Sequence, residues 1–223
     1  MPSTRIKPLT REIYHLYNRG VEKRNIYKSS VDYIRFIHDL FEFNDRNPAP
    51  AFERRYKPNG GYPIPSIMKP KERIVEILCF CLMPNHYHLL VRQLKDNGIS
   101  LFMHKLGAGY TNAFNEKYDR VGPLFQGKYK IKHVDNDEYL RHLVCYINFN
   151  PLKFLKTWDE LNTYRWSSHL DYLGKDNFGS VIEKEFLLEL FGGEKSYEKF
   201  SKSWMQNQSR YTNLISPVII DYD

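Results

Sequence analysis

The stretch MPNHYHLLV, residues 83 to 91, places two histidines one residue apart. On a β-strand alternate side chains share a face, so His86 and His88 point together while Tyr87 and Leu89 point away. Two imidazoles on one face are a natural half of a metal site. Alone, the pair fits equally well two polar residues hydrogen-bonded to loops at a sheet end. A third donor comes from CYINFN, where Tyr146 and Asn150 are spaced i, i+4 beside an apolar stripe of Leu140, Leu143, Val144 and Ile147. The side-chain oxygen of Asn150 can act as a hard ligand. Tyr146, one turn away, would aim its hydroxyl at whatever the metal holds.

These residues need elements to bring them together. EIYHLYNRG (12–20) is rich in β-formers and ends in a turn signal, which predicts a first strand. SSVDYIRFIHDLFEFN (29–44) has apolar residues at helical spacing behind a serine cap. Residues 47–71 carry many prolines and a Gly-Gly pair and read as a long surface loop. Two strands, 73–83 and 86–94, flank Pro84-Asn85 and should pair as an antiparallel hairpin. A helix over 100–118, a basic strand over 122–134 and a helix over 135–150 follow. Asp135 and Glu138 suggest a capping box for the last helix, and Pro151 ends it. The order β-α-β-β-α-β-α predicts a ferredoxin-like α+β fold, an antiparallel sheet with helices packed on it. Residues 1–155 form this domain. Residues 156–223 form a small, partly helical C-terminal extension.

The 223 residues carry a net charge of +7, unevenly placed. Residues 1–155 hold 25 basic and 15 acidic residues, and the remainder 8 and 11. A basic body with a mildly acidic tail suits a polyanion, and 17 tyrosines suit bases stacked between phosphate-binding cations. No stretch approaches the apolar length of a bilayer span, so no membrane partner is expected. The first residues, MPSTRIKPLTREIY, lack a signal-peptide core, and three cysteines form no disulfide framework. Both point to the cytoplasm.

PNHYHLLV together with CYINFNPLK resembles the HUH single-tyrosine transposases, specifically the branch of REP-associated tyrosine transposases. YHLYNRG, GPLFQGKYK and YRWSSHLDYLG are similar to that branch in the same order, over most of residues 12–174. The resemblance assigns His86 and His88 as metal ligands, Tyr146 as the nucleophile and Asn150 as the metal-binding amide. Many relatives of the insertion-sequence type carry Gln there; this chain has the shorter Asn. The proline-rich stretch 47–71 is outside the family pattern. What the resemblance implies is metal-dependent cleavage and strand transfer on single-stranded DNA beside a hairpin, through a 5′-phosphotyrosine. Mixed N/O ligation suits Mg²⁺ or Mn²⁺. Family members occur as monomers and as dimers, so a homodimer is possible, and a DNA-bound form would be nucleoid-associated.

For DNA binding the expected residues are Arg19, Lys105, Tyr110, Gln126, Lys128, Lys130 and Lys132. Residues 104–133 have six basic residues against two acids, with Tyr110, Tyr118 and Tyr129 as nearby rings. A solvated edge strand guarded by lysines fits the same pattern. Two other functions compete: a non-catalytic DNA-binding protein derived from a transposase, and a metal nuclease that uses water. Cys79 and Cys81, which share a strand face, could join the histidines in a zinc site, although their apolar strand favours buried thiols.

Overall fold

The computed structural model describes residues 7–47, 72–208 and 210–211. Almost all of the expected 47–71 loop therefore lies outside the described residues. The β-branched and aromatic runs form four strands: β1 (Ile13–Arg19), β2 (Val75–Met83), β3 (His86–Gln93) and β4 (Lys130–Val134). They make one sheet of order β2-β3-β1-β4, with every neighbouring pair antiparallel. This is the expected ferredoxin-like α+β arrangement. β2 and β3 are buried along nearly their whole length, which is why their sequences run apolar instead of alternating.

Helices α1 (Ser30–Glu42) and α2 (Gly98–Lys117) cover the face that carries Tyr87 and Leu89. Phe36 of α1 meets Tyr87 at 5.1 Å between ring centroids and Tyr110 of α2 at 4.9 Å. Helix α3 (Asp137–Asn148) covers the opposite face, with His88 packed against Tyr146. Two local expectations change. The strand expected over 122–134 begins only at Lys130, because Gly122 and Gly127 adopt left-handed backbone before it. The cap of α3 is Asn136, whose side chain accepts from Tyr139 N at 2.9 Å, and not an Asp135/Glu138 box.

Residues after 155 pack on the far side of α3 and along the open edge of β2. They comprise the short helices α4 (Trp158–Leu161) and α5 (His169–Tyr172), then α6 (Glu185–Phe191) and α7 (Glu194–Gln206). Tyr172, Leu187, Tyr197 and Trp204 belong to the same buried cluster as the sheet. The segment RWSSH seals the β2 edge: Leu82 N donates to Trp166 O at 2.9 Å, Ser168 N to Phe80 O at 3.0 Å, and Cys81 bridges Ser167. A buried polar chain then ties this segment to α3. Phe80 N donates to Ser168 Oγ (3.1 Å), which donates to Asn148 Oδ1 (2.8 Å). Asn148 Nδ2 donates to Tyr197 OH (3.1 Å), and the Tyr197 hydroxyl donates to His169 Nδ1 (2.9 Å). Each link has a donor and an acceptor, so the chain satisfies every polar group it buries.

Two outcomes test this packing. Ser168→Ala leaves the Phe80 amide and Asn148 oxygen without their partner and should cost about 1–3 kcal/mol in urea unfolding, with an unchanged m-value. Burial, with Lys175 adding, holds His169 down to about 3 from its usual 6.5. The unfolded chain therefore takes up a proton that the folded one refuses. The stability this ring contributes is complete above pH ~6.5 and falls by about 1.4 kcal/mol per pH unit below it. His169→Gln, which keeps an acceptor and a donor, should remove one proton from that slope in pH-dependent denaturation.

Candidate metal and nucleophile site

The register across the sheet assembles the site. Opposite His88 lie Tyr17 on β1 and Cys81 on β2; opposite His86 lie Arg19 and Met83. These side chains share the face beneath α3. Phe149 leaves helical geometry at the end of α3, and a 3-10 turn spans Asn150–Lys153 with Pro151 in its first turn. That turn drops the Asn150 side chain between the histidines: Oδ1 lies 3.1 Å from His86 Nε2, and Nδ2 lies 3.4 Å from His88 Nε2. The shorter amide therefore reaches both rings. Tyr146 is 7% exposed, its ring perpendicular to that of His88 at 5.6 Å.

Partners behind the histidines fix which ring nitrogen faces inward. Asn85 Nδ2 donates to the Lys23 carbonyl (3.3 Å), which turns its Oδ1 onto His86 Nδ1 at 2.7 Å. His86 Nδ1 therefore carries a proton, and Nε2 can meet Asn150 Oδ1 only through a second proton or a cation. Nε2 of His88 accepts from Asn150, so His88 Nδ1 donates to His15 Nε2 at 2.9 Å. The His15 Nδ1 proton then has no partner among the described residues. Burial, reinforced by the nearby charge sites at His15, His86 and Lys153, keeps His88 well below its usual range and hence neutral. Burial and Lys132 hold His15 down to about 3.

This donor set fits a divalent ion. Two imidazole nitrogens and an amide oxygen converge, and each ring has a hydrogen-bond partner behind it, Asn85 for His86 and His15 for His88, the kind of support that metal-binding histidines use. The backbone that supplies the Lys23 carbonyl is itself constrained, with Glu22 and Lys23 both at positive φ (57° and 59°). His15 and Asn85 were missed from the sequence. His15 sits two residues from Tyr17 on one face, but its diagonal approach to His88 depends on strand register. Among the described residues the cysteines and histidines do not gather into a group of three or more that could hold zinc. Cys79 lies against Ser168 Oγ (3.3 Å), and burial raises its thiol to about 12 and lifts that of Cys81 well above its usual value.

The expected DNA-binding residues divide. Lys130 and Lys132 pair with Tyr17 and His15, so they flank the site on its β4 side. Arg19 and Gln126 are hydrogen-bonded to each other at the same rim, and Lys128 is exposed just before β4. Lys105 is elsewhere: its ammonium donates to the carbonyls of Asp45 (2.5 Å) and Asn47 (2.8 Å), just beyond α1. Tyr110 is 1% exposed and donates to Ile26 O, so it is core and cannot stack a base. Tyr118 is tied to Asp32 at 2.7 Å on α1's side of the sheet.

Residues 66–150 match the family model described as "Transposase IS200 like". The fold is similar to a solved structure described as "Structure of the REP associates tyrosine transposase bound to a REP hairpin". The TM-score is 0.52, with 13% identity over 83% of this chain and 93% of that one. No curated protein matches the chain. The chain thus has an α+β fold shared with that solved transposase structure. The matched residues 66–150 include PNHYHLLV and CYINFN, the motifs that carry the sequence resemblance.

Replacing Asn85 with alanine tests how His86 is oriented without touching any of the three converging donors. Mn²⁺ affinity, measured by calorimetric titration, should fall about 10- to 100-fold. Wild-type affinity in that variant would mean that the ring of His86 is held by something else.

Proposed function

We propose that the protein is a transposase that cleaves single-stranded DNA and rejoins it through a covalent bond to Tyr146, with Mg²⁺ or Mn²⁺ held by His86, His88 and Asn150. The observation that carries the reading is the convergence of the two Nε2 atoms on the Asn150 amide beside the Tyr146 ring. The IS200-like family match over this same segment supports it.

A tyrosine hydroxyl ordinarily titrates near 10 and is a poor nucleophile without help. A divalent ion at the amide would supply that help by polarising the scissile phosphate. The chain's own residues do the rest. Asn85 and His15 lock the rings, and burial keeps His88 neutral and its lone pair available. Tyr146 is carried on a helix wedged between sheet and extension, which presets the attacking oxygen. Attack forms a Tyr146–phosphorus bond and breaks the bond to the 3′ oxygen, leaving a 5′-phosphotyrosine and a free 3′-OH. The linkage keeps the phosphodiester's energy, so an incoming 3′-OH can reverse the step without ATP. Lys130 and Lys132 give one flank of the strand a basic track. The solved relative holds a REP hairpin, and we extend that ligand class, hairpin DNA with unpaired flanks, to this chain.

Tyr146→Phe keeps the ring and deletes the oxygen. It should fold and bind DNA as wild type does, yet give no adduct and no nick on denaturing gels. Tyr17 is the informative control, because its ring lies 6.1 Å from His88 on the same face; Tyr17→Phe should still form adduct. Proteolysis and mass spectrometry of trapped wild-type adduct should find the nucleotide on Tyr146. Nicking without adduct would establish hydrolysis instead, and a gel shift without cleavage a binding protein. Converting Lys130 and Lys132 to Gln should reduce the log–log salt slope of single-strand binding by about 0.7 per lost phosphate contact.

A further inference from the structure

Lys130 and Lys132 lie to one side of the histidines, yet cleavage followed by rejoining requires both flanks of the strand to be held. The other side is the β2 edge, where the extension joins the sheet. At the level of His88 the sheet runs Lys130, Tyr17, His88, Cys81 and Ser167. With strands about 4.8 Å apart, Ser167 lies roughly 10 Å from His88. Next to it, Trp166 turns to the α1 side of the sheet, stacked between Tyr33 (4.6 Å, 16° between planes) and Phe178, and so anchors the segment that carries Tyr164.

Phe154 completes this edge. It follows the Asn150–Lys153 turn directly and is 47% exposed, one of the few large apolar side chains so open among the described residues. A single exposed apolar residue is ordinary; this one is held in place and flanked by charge. Its amide donates to Pro151 O (3.0 Å), and its ring stands against Tyr164 at 5.7 Å and 60°. Tyr164 is itself fixed, its hydroxyl donating to Leu82 O at 2.6 Å. Lys153 precedes the ring and is close enough for its charge to act on His88. Of the acids on α4, Glu160 is engaged by the backbone N–H groups of Lys156 and Thr157, at 2.6 and 3.0 Å.

We propose that Phe154 and Tyr164, with Lys153, form a ledge that binds unpaired nucleotides on the flank opposite to the one tracked by Lys130 and Lys132. The inference rests on the cleavage reading for the path of the strand. Its occupant is single-stranded because fixed rings beside a cation offer bases a stacking surface, whereas a duplex keeps its bases stacked inside and presents only phosphate. Phe154 takes a base, and Lys153 takes the adjoining phosphate.

The test is fluorescence anisotropy with labelled dT16 and with a 16-base-pair duplex, on the full chain. Phe154→Ala should weaken dT16 binding roughly 5- to 100-fold, in the range expected for one stacked base, and leave duplex binding unchanged. Phe154→Trp should restore it. Lys153→Gln should lower the dT16 salt slope by about 0.7, which Phe154→Ala should not do. Unchanged dT16 affinity in Phe154→Ala, or an equal loss for dT16 and duplex, overturns the ledge. Adduct assays on the same wild-type preparation keep the two ideas apart. Adduct with an indifferent Phe154→Ala removes the ledge alone. Absence of adduct removes the cleavage reading, while the dT16 comparison still decides whether the ledge binds bases.

Discussion

The Asn150 side chain suspended between His86 Nε2 and His88 Nε2 is the contact on which the site depends. It joins two elements distant in sequence, the β3 strand and the turn after α3, and it requires both rings to present the same nitrogen inward. Two imidazole rings and an amide oxygen cannot settle this close together as a purely apolar core would. They need polar partners behind them and a cation or proton between them. Asn85, anchored by the Lys23 carbonyl, and His15, buried on β1, meet the first need. The three donors are therefore oriented by the protein itself, as the proposed metal site requires.

Placing Asn150 and Tyr146 is the task of α3, and α3 is held on both sides. Its apolar stripe packs on β2 and β3, while its outer side meets the extension through Cys145–Ser201 and the buried chain from Phe80 through Ser168 and Asn148 to Tyr197. Asn148 stands two residues from Tyr146 and two from Asn150. Residues beyond 155 thus act on the site through the helix, and the same segment closes the sheet edge that would otherwise be open to pairing.

Much of this was legible in the sequence because it rests on local periodicity. The period of two put His86 and His88 on one face, and i, i+4 spacing put Tyr146 and Asn150 on another; the elements carrying them formed close to their expected bounds. What was not legible depends on long-range register or on which face a helix covers. Lys105 and Tyr110 lie in a basic, aromatic stretch, yet α2 turns them away from the site, one onto the carbonyls beyond α1 and the other into the core. His15 acts through a diagonal across two strands, which no single-strand pattern reveals. The one-residue shift of the α3 cap from Asp135 to Asn136 reflects competition between neighbouring side chains with the same capping chemistry. Asn150 was placed at a helix end by its spacing, but only the break at Phe149 shows how so short an amide reaches two rings.

Electron spin-echo measurement of ¹⁴N couplings to Mn²⁺ added to the full chain tests the central claim most directly. The account predicts one bound ion per chain with couplings from two histidine nitrogens, one of them lost in His86→Ala and one in His88→Ala. Mn²⁺ that binds with no nitrogen coupling, or with couplings unaffected by either substitution, would contradict it.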